Sequence, residues 1–159
     1  MNAKRFALVA IVSNRWAGAQ SRSRSSSLPP VVPLPPIAVD APRISQVLRN
    51  LIANALVHTP PGGSVTLGVV GEARAVAIQV RDTGQGIAPE HLPHIFDRFY
   101  RADPSRDRAT GGAGIGLSVA RGIVQAHGGT IGVRSVVGQG TEFTITLPVM
   151  EPLSAGSLP

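Results

Sequence analysis

The chain has 159 residues, 43% of them apolar, with no cysteine and a formal charge of +6. That length suits one ordinary domain with a tail, and the missing cysteine excludes disulfides and thiolate metal sites, while His58, His91, His94 and His127 show no zinc spacing. The charge is a weak nucleic-acid footprint, because Lys4, Arg5, Arg15, Arg22 and Arg24 carry five positive charges with no acid among them, whereas ten arginines face nine acids from residue 40 onward.

Residues 1–38 read differently from the rest. The longest apolar run there, residues 6–12, is seven residues long, far short of the roughly 20 that a membrane span requires. Residues 21–27 are Ser/Arg low complexity, and residues 28–36 hold five prolines in nine positions. Such a stretch buries too little apolar surface to offset its ordering entropy, so 1–38 is expected to be a flexible segment. The folded body is expected over 39–149, followed by a flexible tail at 150–159.

Asp40 before Ala41-Pro42 predicts a helix start, with proline where its missing N–H costs nothing. Ile44, Val47, Leu48, Leu51, Ile52, Ala55 and Leu56 then recur at helical spacing through His58. Two β-like runs follow at 64–70 and 75–81, and a loop with two short helical pieces leads to Tyr100. Residues 101–114 are polar and Gly-rich and read as a mobile loop. A second amphipathic helix at 115–127 stops at Gly128-Gly129. Strands at 130–136 and 141–147 close the chain. This order predicts a two-layer α/β sandwich whose mixed, mostly antiparallel sheet carries its helices on one face.

Four patterns carry chemistry. Gln46, Asn50, Asn54 and His58 recur every four residues and so share one helix face. That row is either a solvated stripe or a face whose amide oxygens suit Mg²⁺, a hard cation that bridges phosphates. Asp82-Thr83-Gly84-Gln85-Gly86-Ile87 follows a strand, and is either a plain turn or a carboxylate placed to accept from an exocyclic amine. Gly111-Gly112-Ala113-Gly114-Ile115-Gly116 opens into a helix, where free N–H groups favour phosphate. It follows no strand of a βαβ unit and lacks the lysine of a P-loop. Gly138-Gln139-Gly140-Thr141 is a hairpin turn that also offers the Thr141 hydroxyl.

Taken in order, Asn50-Leu51-Ile52-Ala53-Asn54-Ala55, Asp82-Thr83-Gly84-Gln85-Gly86-Ile87, Ile95-Phe96-Asp97-Arg98-Phe99-Tyr100-Arg101, Gly112-Ala113-Gly114-Ile115-Gly116-Leu117 and Gly138-Gln139-Gly140-Thr141 resemble the N, G1, F, G2 and G3 boxes of sensor histidine kinases. The resemblance spans residues 40–148. It implies the Bergerat ATP-binding sandwich shared with gyrase-type and heat-shock chaperone ATPases, with ATP and Mg²⁺ as cofactors. By the same likeness Asn50 and Asn54 hold the metal, Asp82 binds the adenine amine, and Gly84, Gly86 and Ile87 line the base pocket beside His58. Arg98, Tyr100 and Arg101 lie toward the phosphates, and the lid end contributes Gly112, Gly114, Ile115, Gly116 and Leu117. Thr141 offers its hydroxyl. Asn50, Asn54 and Arg98 are the catalytic candidates.

Two departures stand out. Val57 occupies a place where the family usually has Lys or Arg, which removes one cationic phosphate contact. No histidine precedes His58, so the family's His-Glu/Asp-x-Arg-x-Pro box is absent. The resemblance therefore implies a cytoplasmic ATP domain, monomeric alone, that phosphorylates a histidine on a separate dimerisation protein and feeds a response regulator. Asn50 stands where hydrolytic relatives carry the water-activating glutamate, which favours transfer over hydrolysis. A serine kinase of the anti-sigma-factor type and a nucleotide-binding remnant are the competing readings.

Overall fold

The computed structural model describes residues 7–13 (backbone only), 34–102 and 114–149. The Ser/Arg stretch, the 150–159 tail and most of the proposed lid, Gly112 included, lie outside the described residues. Its elements are β1 (Ala7–Ser13), α1 (Ala41–His58), β2 (Ser64–Gly71), β3 (Ala75–Asp82), α2 (Gly116–Ala126), β4 (Thr130–Val136) and β5 (Gly140–Pro148).

Helix α1 starts where the Asp-Ala-Pro signal places it. The Asp40 carboxylate accepts from the Arg43 N–H at 3.0 Å, satisfying one of the orphan donors of the first turn. The buried residues Ile44, Val47, Leu51 and Ala55 form its apolar stripe. It ends at Thr59, whose buried hydroxyl donates to the Ala55 carbonyl at 2.6 Å.

The strands order as β1-β2-β3-β5-β4. β1 runs parallel to β2, and every other pairing is antiparallel. In β5 the buried Thr141, Phe143, Ile145 and Leu147 alternate with the half-buried Glu142, Thr144 and Thr146. This alternation turns one face to the helices and the other to solvent. Val47, Leu51, Val65, Val80, Val124, Ile145 and Leu147 fill the core between the layers. Removing each such side chain from water stabilises the fold by about 1.5–3 kcal/mol.

Two contacts set α2 antiparallel to α1. The Asn50 amide donates to the Gly116 carbonyl at 3.1 Å, joining the middle of α1 to the start of α2. At the opposite ends, the Asp40 N–H donates to His127 Nε2 at 3.1 Å, while His127 Nδ1 donates to the Ile123 carbonyl at 2.7 Å.

The sandwich, the antiparallel hairpins and the one-sided helices agree with the sequence reading, and two details differ. Ala7–Ser13, inside the segment expected to be flexible, forms the edge strand β1. Residues 88–99 hold isolated turns in place of short helices, with bonds such as His91 N to Ala88 O and His94 N to His91 O. Pro89 and Pro93 explain this, since each lacks the N–H that a propagating helix needs. Among the described residues, no helix is long and apolar enough to cross a membrane.

Candidate functional site

At the end of β3 a buried carboxylate meets the turn that follows it and the β4–β5 hairpin turn. Asp82 is 4% exposed, and its Oδ1 accepts from Gly84 N at 2.8 Å and Thr141 N at 3.2 Å. Both bonds fall on Oδ1, so Oδ2 keeps its acceptor capacity. Burial pushes the Asp82 carboxyl above the ordinary aspartate range, while the N–H groups of Gly84 and Thr141 and the proximity of His58 pull the other way.

Glycine lets the backbones close around this residue. Gly140 has φ +106°, and a Cβ there would run into the Asp82 carbonyl oxygen. Gly86 has φ +71°, and a Cβ there would meet the Val136 carbonyl oxygen. Both need the left-handed region and close approach, which glycine alone supplies without strain. Further bonds join the turns: Gly138 N to Gln85 O at 2.8 Å, Gln85 N to His58 O at 3.3 Å, and Ile87 N to Ser135 Oγ at 2.8 Å.

The α1 face presents half-buried Asn50, Asn54 and His58 and exposed Gln46. Asn50 Nδ2 is used by Gly116, which leaves Oδ1 as the end available to a cation. Gly116 therefore sits against Asn50 at the α2 N-terminus. His58 Nδ1 lies 3.2 Å from Gln85 Nε2, so the ring is tied to the Asp82 turn. Val57 is 43% exposed, with an apolar side chain where the family usually carries a cation.

Residues 95–101 divide between support and surface. Ile95 is buried, and Phe96 meets Phe143 edge-on at 6.2 Å with Arg121 over its ring. Phe99 is 71% exposed with φ +64°, an uncommon conformation for a bulky residue, and its N–H donates to Gly114 O at 3.0 Å. Tyr100 donates or accepts at His91 Nδ1, 2.9 Å away, and its ring lies beside His94. Ile87 and Leu117 pack partly against the core.

Two cavities flank the cleft. One of about 390 Å³ brings His58 together with Val57, Thr83, Gly84 and Gln85. The other, about 670 Å³, runs along α2 and is lined by Arg98, Phe99, Ile115, Val119, Arg43 and His127 among others. Neither is lined by Asn50, Asn54 or Asp82. The wall the sequence assigns to residues 101–114 lies mostly outside the described residues. Arg98 thus borders the α2 groove, not the two asparagines, and Tyr100 faces the histidine pair.

Against this geometry, residues 39–151 match the model of the histidine kinase-, DNA gyrase B- and HSP90-like ATPases. The chain belongs to this family. It is 46% identical over 117 residues to the sensor histidine kinase WalK of Bacillus subtilis (strain 168), covering 72% of this chain and 19% of WalK. To the sensor protein SrrB of Staphylococcus aureus (strain NCTC 8325 / PS 47) it is 45% identical over 112 residues, 70% of this chain and 19% of SrrB. Full-length ShkA, solved in complex with AMPPNP, superposes with a TM-score of 0.70 at 31% identity over 92% of this chain and 26% of that one. The chain spans about a fifth of the length of these curated relatives.

The histidine kinase-type ATP domain fits its nucleotide on structural grounds. A buried acceptor stands ready in Asp82, the turns around it exclude any Cβ at Gly86 and Gly140, and the amide oxygens on α1 are hard donors. Sequence reasoning missed Ser135 and Gln85. Ser135 lies in an ordinary strand pattern, and only its side-chain bonds reveal it.

Proposed function

We propose that this chain is the catalytic ATP domain of a histidine kinase and moves the γ-phosphoryl group of magnesium-bound ATP to a histidine on a separate helical partner. From there the group passes to a response regulator. The observation that carries the reading is Asp82, buried with one oxygen held by two N–H groups and the other left as an acceptor.

In this reading Asp82 Oδ2 accepts from the exocyclic amine, and Gly84, Gly86 and Ile87 line the base beside His58. The amide oxygens of Asn50 and Asn54 hold Mg²⁺, which when bound neutralises charge on the phosphates. The N–H groups of Gly114, Ile115 and Gly116, at the start of α2, favour the phosphate end, with Gly112 and Leu117 nearby in sequence. By the family likeness Arg101 steadies the phosphates, whereas Arg98 lies along the α2 groove and Tyr100 against His91 and His94. Thr141 offers its hydroxyl near the base.

The reading puts the acceptor elsewhere because none of the four histidines has the His-Glu/Asp-x-Arg-x-Pro neighbours, and each is held by local bonds. His58 is tied to Gln85, His91 to Tyr100, His94 to Asp97 and His127 to Asp40 and Ile123. Asn50 cannot serve as a general base, which favours transfer over hydrolysis. The kinase relatives support the same chemistry.

The test mixes the chain with γ-labelled ATP, Mg²⁺ and a protein bearing a histidine hairpin. Label is expected on that protein as acid-labile phosphohistidine, and it disappears with Asn54→Ala. Acid-stable phosphoserine would instead support the anti-sigma-factor type. Val57 favours one second reading, a domain that holds nucleotide without transferring it; ATP binding with no label on any hairpin protein would establish that reading.

A further inference from the structure

Ser135 has one hydroxyl proton and three partners. Its Oγ receives the Ile87 N–H at 2.8 Å, lies 2.9 Å from the Gly140 carbonyl oxygen, and lies 2.9 Å from Thr141 Oγ1. A carbonyl only accepts, so the Ser135 proton goes to Gly140. Nothing remains to give Thr141, so the Thr141 hydroxyl must donate to Ser135. That uses the single proton of Thr141, and its oxygen can show only lone pairs to a ligand. The backbone N–H of the same residue is bonded to Asp82 Oδ1, which fixes Thr141 next to the carboxylate.

We infer that Ser135 is a positioning residue that makes the cleft select an exocyclic amine over a carbonyl at the six position of a purine, by holding the Thr141 hydroxyl as a second acceptor beside Asp82. An amine brings two N–H donors to two acceptors. A carbonyl brings lone pairs against lone pairs, and a site built to bond a donor strongly rejects a ligand lacking it. Ser135 touches no substrate in this arrangement. It acts through the direction of one proton, and it ties the Asp82 turn (through Ile87) to the β4–β5 turn (through Gly140). The inference rests on the nucleotide-binding reading above.

The experiment titrates the folded chain with the magnesium complexes of ATP and inosine triphosphate, which differ in that amine and carbonyl. The wild-type chain is expected to prefer ATP. Ser135→Ala should weaken ATP by about tenfold while inosine triphosphate changes by less than about twofold, because the Thr141 proton is then free to turn toward a carbonyl. Ser135→Thr, which keeps the hydroxyl, should restore the preference. Thr141→Val should show the Ser135→Ala loss of preference, and the double variant should lose no more.

Equal weakening of both nucleotides in Ser135→Ala would reduce the residue to a structural strut and overturn the inference. So would unchanged discrimination. Should Ser135→Ala melt before it can be titrated, Thr141→Val reads the same proton, and full ATP preference there overturns the inference alone. A wild-type chain that binds no magnesium ATP removes the functional reading itself, and this inference falls with it.

Discussion

The two ends of the proposed nucleotide cleft are built differently. The base end is assembled from the backbone inward: Asp82 is buried, and its turn is bonded to the β4–β5 turn and to the end of α1. The phosphate end consists of half-buried amides on α1 and the start of α2, joined by one Asn50–Gly116 bond. The difference suits the proposed ligand. A neutral ring gives up its water readily and is discriminated by a few fixed acceptors. A hydrated triphosphate with its metal keeps much of its water and is held by charge.

Asp82→Asn tests the base end most severely. The amide has half the acceptor capacity of the carboxylate and brings its own N–H group to the cleft, so affinity for magnesium ATP should fall by about 100-fold in a calorimetric titration. A loss under threefold would mean that the base is recognised elsewhere. Asn54→Ala tests the phosphate end. It should lower affinity by about tenfold or more and remove the magnesium dependence of what remains. Persistent magnesium dependence would move the metal off this helix face.

Val57→Arg sharpens the contrast by supplying the missing cation. Affinity should rise by up to about tenfold, with a gain that shrinks as salt is added. A gain insensitive to salt would point to packing in place of charge. The smallest effect concerns Asp82 and acidity. Its carboxyl titrates above the ordinary aspartate range because burial disfavours the charged form. Stability is therefore greater below that range and is lost as pH rises through the raised value. Without ligand, Asp82→Asn should melt a few degrees above wild type at neutral pH, and the gap should close as pH falls through the raised value. A gap that widens on acidification would reverse the sign of the burial effect.

Much of this molecule is written in local sequence. α1 is bounded by Asp40 and Thr59 because a cap, an early proline and a helical apolar stripe all agree. Gly86 and Gly140 mark their turns because only glycine fits the conformation and the approach. What escaped reading depends on partners far along the chain. β1 pairs with β2 across more than 50 residues, and a short apolar run says nothing of that partner. Residues 88–99 share apolar content with helices, and the spacing of Pro89 and Pro93 decides the matter. Ser135 gains its meaning from three neighbours at positions 87, 140 and 141. Arg98 carries a box residue's identity, yet its place along α2 depends on how the F-box turn docks through Phe96.

His127 joins the start of α1 to the end of α2 through both ring nitrogens, accepting a hydrogen bond from the Asp40 amide and donating one to the Ile123 carbonyl. Only the uncharged imidazole has both roles at once. A second proton on the ring would set donor against donor at the residue that caps the long helix. The registration of the two helices is thus fastened by a clasp with one workable protonation form, located at the end farthest from Gly116.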